Sequence, residues 1–164
     1  MIRVFSVLAL GLFLSPLPAA AQVVQATRHI DWQVVKDMAG RCVASTTVGL
    51  RSADSGLVTL TMLPDTADRT AAVMTARVPL GVALDQPLAF TWSTGQVAVG
   101  LDWQSCDDKT CLAMTPVPPA ELERLKRRER VFIAFRPLPD VTPLIVPVSL
   151  MGLTRAWNDV QACG

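Results

Sequence analysis

Apolar residues recur at alternate positions along most of this chain, and short polar or Gly/Pro-containing stretches interrupt them. The clearest case runs Val97, Val99, Leu101, Trp103, breaks at Asp107, Asp108, Lys109 and Thr110, and resumes at Leu112 and Met114. Two period-two runs joined by a short charged tip predict a β-hairpin. Similar runs predict strands at 29–35, with Trp32 as the core anchor, and at 42–48, 57–63, 71–78, 88–92 and 96–104. Two more follow at 130–136, with Phe132 or its alternates inward, and at 144–150. Turns fall at 37–40, 51–56, 64–65, 79–82 and 93–95, where Gly, Pro, Asp and Ser supply the required backbone. Helical spacing shows in two places only. One begins at Pro118 and Pro119, with Leu122 and Leu125 able to share a buried face and Glu123 able to pair with Arg127; the other covers 154–161. The pattern predicts a mainly β protein, an antiparallel β-sandwich or barrel-like domain with one or two short helices.

The first 21 residues break this rhythm. Arg3 precedes an apolar run over 4–14, Pro16 and Pro18 follow, and Ala19, Ala20 and Ala21 close it. That order is a secretory signal peptide cleaved after Ala21. The run is too short to remain as an anchor across a hydrocarbon core of about 30 Å, so no permanent membrane span is expected in the mature chain. Residues 22–164 are then a single β-rich domain, with no linker, internal repeat or low-complexity segment. Because the leader holds one base and no acid, the mature chain balances 14 Lys plus Arg against 14 Asp plus Glu. Such balance speaks against nucleic acid, which needs a basic footprint.

Export also bears on the four cysteines, Cys42, Cys106, Cys111 and Cys163, because disulfides persist outside the cytoplasm. Cys106 and Cys111 flank the hairpin tip, where facing Cβ atoms can bond, a bridge worth about 2 kcal/mol for so short a loop. Two unpaired thiols, or a metal pair, are the other readings; the second is a poor zinc half-site with no His nearby. Four cysteines allow three pairings, and spacing alone does not choose among them.

Few residues carry candidate chemistry. His29 is the one imidazole, and no nucleophile elbow accompanies it; a strand-edge role is the plainer reading. Asp107 and Asp108 sit beside Lys109 without the oxygen-ligand spacing of a calcium loop, so a solvated tip is expected. Arg124, Lys126, Arg127, Arg128 and Arg130 form the one basic cluster. It could touch anionic lipid or glycan, although Glu121, Glu123 and Glu129 dilute it toward an ordinary solvated helix face. No phosphate loop or dinucleotide fingerprint appears. No catalytic residue, cofactor or metal is therefore expected.

The ordered set of leader, early Trp32, the segment Arg77 to Leu84, the Cys106 to Ala113 centre, the Leu122/Leu125 helix, Val131 to Phe135 and the ending Val148 to Ala156 resembles the invasion-associated locus B family of exported bacterial proteins. The resemblance implies a compact β-rich domain in the periplasm or at the cell surface, associated in pathogens with entry into host cells, and brings no catalytic residues with it. Relatives commonly carry a Cys shortly after the early Trp and an aromatic after the Gly of the closing motif. Here Val34, Val35 and Lys36 offer no Cys, and Leu153 follows Gly152. With the local partner of the relatives missing, the expectation is that Cys106 pairs with Cys111 and Cys42 with Cys163.

The resulting expectation is an exported, non-enzymatic binding protein of the envelope with an unknown protein or envelope component as partner. Its possible contact surface comprises Arg124, Arg127, Arg128, Trp92 and Trp157. The alternatives are a periplasmic hydrolase or metal-dependent enzyme, which would need His29 in a pocket with a carboxylate and a hydroxyl, and an envelope structural protein without a specific ligand.

Overall fold

The computed structural model describes residues 26–37, 39–49, 56–93, 96–138 and 140–163. The expected signal peptide, and the turns expected at 51–56 and 93–95, lie wholly or partly outside them. Ten strands and two helices follow in chain order. They are β1 (Thr27–His29), β2 (Trp32–Lys36), β3 (Cys42–Gly49), β4 (Gly56–Pro64), β5 (Ala72–Pro79), β6 (Leu88–Ser93), β7 (Gln96–Cys106), β8 (Thr110–Val117), α1 (Pro119–Lys126), β9 (Arg130–Phe135), β10 (Leu144–Ser149) and α2 (Leu153–Ala162).

The strands form one antiparallel sheet in the order β1-β2-β3-β4-β5-β8-β7-β6-β9-β10, curled into a half-barrel. β7 makes the curl possible. Its first half pairs with β6 (Leu88 with Leu101) and its second half with β8 (Asp102 with Met114). A bulge between Trp103 and Ser105 bends the strand where it changes partner. The chain passes from β5 to β6 through residues 80–87 at one end, and α1 carries it from β8 to β9 at the other. Thr154 Oγ1 donates to the Lys126 carbonyl at 3.4 Å, so both helices cover that second end.

Alternation decides what faces inward. β5 buries Ala72, Met74, Ala76 and Val78, and β8 buries Cys111, Ala113, Thr115 and Val117. Large residues meet small ones across the pairs: Met62 lies beside Ala44, and Leu60 beside Ala76. Such matching helps the curved inner face to interdigitate. In β9 the inward set is Val131, Ile133 and Phe135, the alternates of Phe132. α1 buries Leu122 and Leu125 as its spacing predicts. α2 turns Leu153, Ala156, Trp157 and Val160 onto β1, β2, β3 and β4.

The strand expected at 29–35 is two strands. Ile30 adopts φ 55° and the chain reverses, so that His29 pairs with Trp32. A β-branched residue pays strain in this region, and neighbouring contacts must hold it there. Asp31 supplies them. Its N–H donates to the Met151 carbonyl at 3.2 Å, its carbonyl accepts from Thr46 Oγ1 at 2.7 Å, and its carboxylate accepts from Ser149 Oγ at 2.6 Å.

Both expected disulfides are present. Cys106 and Cys111 are directly opposed, with Cα atoms 4.0 Å apart, as in the close pairs of an antiparallel ladder. Cys42 and Cys163, 121 positions apart, join β3 to the end of α2 with a Cα separation of 6.1 Å.

Candidate functional site

The basic cluster and one tryptophan of the expected surface meet at the helix-covered end. β6 directs Phe90 into the core, where it is 1% exposed, and places Trp92 half-buried at the rim. The two rings contact edge to face at 5.2 Å, which fixes the indole. Across from it, α1 anchors by Leu122 and Leu125 and ends at Arg127, whose N–H donates to the Arg124 carbonyl, while the Arg128 N–H donates to that of Leu125. Arg124, Arg127 and Arg128 are spaced i, i+3, i+4, so they share one side of the terminating helix. The same carbonyl-rich end favours positive charge. The Arg128 guanidinium lies over the Trp92 ring, 4.7 Å from its centroid. Among the described residues, Trp92, Arg124, Arg127 and Arg128 line an open recess of about 540 Å³.

Two of the neighbouring acids are engaged along the helix, and the third, Glu129, borders a different recess with Arg130 and Pro147. Glu121 pairs with Arg124 at 3.3 Å. Glu123 pairs with Lys126 at 2.8 Å, and not with Arg127 as its spacing suggested. The Lys126 hydrogen bond, then the charges of Lys126 and Arg127, hold the Glu123 carboxyl below the usual range. This arrangement leaves Arg127 and Arg128 directed at the recess.

Trp157 does not belong to this surface. It is 3% exposed, because α2 packs its apolar stripe into the half-barrel and Trp157 is the stripe's largest member. The spacing of Leu153, Ala156, Trp157 and Val160 carried that signal in the sequence.

The remaining candidates serve the fold. His29 Nε2 lies 2.7 Å from Asp159 Oδ2 and ties β1 to α2. The nearby hydroxyl of Ser149 donates to Asp31. Asp107 caps its own turn. Its Oδ1 accepts from the N–H groups of Lys109 at 2.8 Å and Thr110 at 2.7 Å, and its Oδ2 lies 3.3 Å from the Arg77 guanidinium. The two N–H groups, Thr110 first, hold its carboxyl below the usual range. Asp108 is exposed beside it. Among the described residues no three His, Cys, Asp or Glu side chains are grouped to hold a metal ion, and no helix is long and apolar enough to cross a membrane.

A second recess, of about 390 Å³, surrounds the Cys42–Cys163 bridge and is lined by Arg41, Asp65 and Arg69 among others. Arg41 is held there by Asp37 at 2.7 Å. Sequence reasoning did not find it, because its walls come from β3, the β4–β5 turn and the C-terminus.

Comparison with known proteins agrees with this architecture. Among solved structures, the crystal structure of invasion associated protein b from Bartonella henselae superposes with a TM-score of 0.72 at 15% identity. The match covers 84% of this chain and 96% of that one, and it shows the fold. No curated protein matches the chain. The family model described as Invasion associated locus B (IalB) protein matches residues 32–161. With that span covering β2 through β10, α1 and nearly all of α2, the chain belongs to the invasion associated locus B family.

Proposed function

We propose that this protein is an exported, non-enzymatic binding protein of the bacterial envelope, acting in the periplasm or at the cell surface and contributing to host-cell attachment or invasion. Family membership supports the association with invasion. Two disulfides support an oxidising compartment. The observation that carries the binding reading is the open recess where Arg124, Arg127 and Arg128 converge on a half-buried Trp92. Arginine and tryptophan are the side chains that most often dominate recognition surfaces. The residues that a hydrolase would recruit are otherwise occupied: His29 holds α2, and Ser149 holds the turn at Asp31.

The test has two parts. Protein recovered from the periplasm or medium should begin at Gln22 by mass spectrometry, and a cytoplasmic protein retaining residues 1–21 would overturn the location. Affinity capture from envelope and host-surface extracts should then yield a saturable partner. Capture of equal amounts by a heat-unfolded control would remove the binding reading.

A further inference from the structure

Resting on the binding reading, we propose that the Trp92/Arg124/Arg127/Arg128 recess is a site for an anionic glycan, its sulfate or carboxylate groups held by the guanidiniums and a sugar ring set against the indole rim. Four observations lead there. The described lining is one indole and three guanidiniums, with no carboxylate in the wall. Guanidiniums present planar pairs of N–H donors that match sulfate and carboxylate oxygens, so Arg127 and Arg128 can each grip such a group, with Arg124 beside them. The Glu121 and Glu123 carboxylates form their ion pairs with Arg124 and Lys126 along the helix, so neither bridges to Arg127 or Arg128. Trp92 is fixed from behind by Phe90, so its exposed part is a rigid apolar wall of the kind a sugar ring can cover.

The surroundings choose between sources of negative charge. The large exposed apolar side chains of the described residues are Ile30, Leu80, Leu84, Leu138, Val141, Leu144, Ile145 and Met151, and none lines this recess. With no apolar group beside the recess to enter lipid, a membrane surface would be held by charge alone and would leave the indole uncovered. A polysaccharide needs only the charges and the ring. Arg128 already covers one face of the indole, so the ligand enters from the open side or displaces the guanidinium onto its own oxyanion.

The experiment titrates the mature protein, residues 22–164, with a sulfated heparin tetrasaccharide, a neutral oligosaccharide of equal length, inorganic phosphate, and vesicles with and without anionic lipid. Calorimetry and NMR shifts of the tryptophan indole signals are the readouts. The expected result is saturable binding of the tetrasaccharide, weakened by added salt and by about ten-fold or more in Arg127→Ala/Arg128→Ala. Arg41→Ala/Arg69→Ala, at the other recess, should bind like the parent. The Trp92 indole signal should shift while that of buried Trp157 does not. Circular dichroism of each variant confirms that it folds. Unchanged affinity in the Arg127→Ala/Arg128→Ala protein overturns this assignment. So does binding of the neutral oligosaccharide with equal affinity, or binding confined to phosphate or vesicles. If that variant still captures a saturable partner from extracts as the parent does, the binding function stands and the site proposed here does not.

Discussion

Trp32 and Ser149, 117 positions apart, close the sheet on itself: the Trp32 indole N–H donates to the Ser149 carbonyl at 3.0 Å. Trp32 belongs to β2, near one edge of the ten-strand order, and Ser149 ends β10, the opposite edge. The adjoining bonds from the Asp31 N–H to the Met151 carbonyl and from Ser149 Oγ to the Asp31 carboxylate make the contact triple. The half-barrel is thus latched at the end the helices cover.

Trp32 should therefore be the most costly single core residue to remove. It is fully buried, so Trp32→Ala loses its packing and opens a cavity, about 3–5 kcal/mol by the usual range for such truncations. Trp32→Phe keeps much of the burial but leaves the Ser149 carbonyl without its donor, about 1–3 kcal/mol. Urea unfolding of both variants checks the order. A Phe variant as stable as the parent would show that the latch contributes nothing.

The two disulfides should differ in weight. Cys42 and Cys163 are 121 positions apart, which in the chain-entropy account gives at most about 5 kcal/mol. Cys106 and Cys111 are 5 apart, which gives about 2 kcal/mol. Cys42→Ser/Cys163→Ser should accordingly lower the denaturation midpoint more than Cys106→Ser/Cys111→Ser. Peptide mapping without reduction should recover both bridges; Cys163 found free in the unreduced monomer would contradict the first.

What the sequence displayed was local. The polar tip between Cys106 and Cys111, the Pro119 start of α1 and its Leu122/Leu125 stripe are all set by neighbours within a few positions, and the structure places them as expected. The turn at Ile30 and Asp31 was hidden because the chain reverses without Gly, Pro or Asn at Ile30. Its conformation is imposed by Ser149 and Met151, more than a hundred positions away. The adjacency of β5 and β8 is likewise non-local, and no periodicity encodes it. For the site, the arginine spacing was visible, but its meeting with Trp92 depends on β6 pairing with β9. Trp157 is drawn from the expected surface into the core because it completes the buried stripe of Leu153, Ala156 and Val160.

The hairpin tip should respond to acid. Asp107 has its folded pKa lowered, so its contribution is present above the unfolded value of about 3.9 and is lost as pH falls through the lower folded value. Carbon-detected NMR of the Asp107 carboxyl should give a midpoint below about 3.9. Asp107→Asn keeps an oxygen for the Lys109 and Thr110 N–H groups but loses the charge facing Arg77, and should remove the pH response of those amide signals. An ordinary or raised midpoint would mean that the turn does not favour the carboxylate.

Gly152 shows how closely the two ends of the chain are fitted. It has φ +98° at the start of α2, and a Cβ built there collides with the backbone carbonyl of His29. Gly40 also has positive φ, +78°, but an added Cβ would meet nothing within 4 Å. Gly40→Ala therefore isolates the conformational cost, about 1–2 kcal/mol. Gly152→Ala adds a clash between two backbone segments that cannot easily part. Asp31 N–H to Met151, His29 to Asp159 and the Cys42–Cys163 bridge all hold them together. Its loss of stability should clearly exceed that of Gly40→Ala, and amide exchange should quicken first in β1 and α2. Equal losses for the two alanines would show that the contact between His29 and Gly152 is loose enough to admit a methyl group.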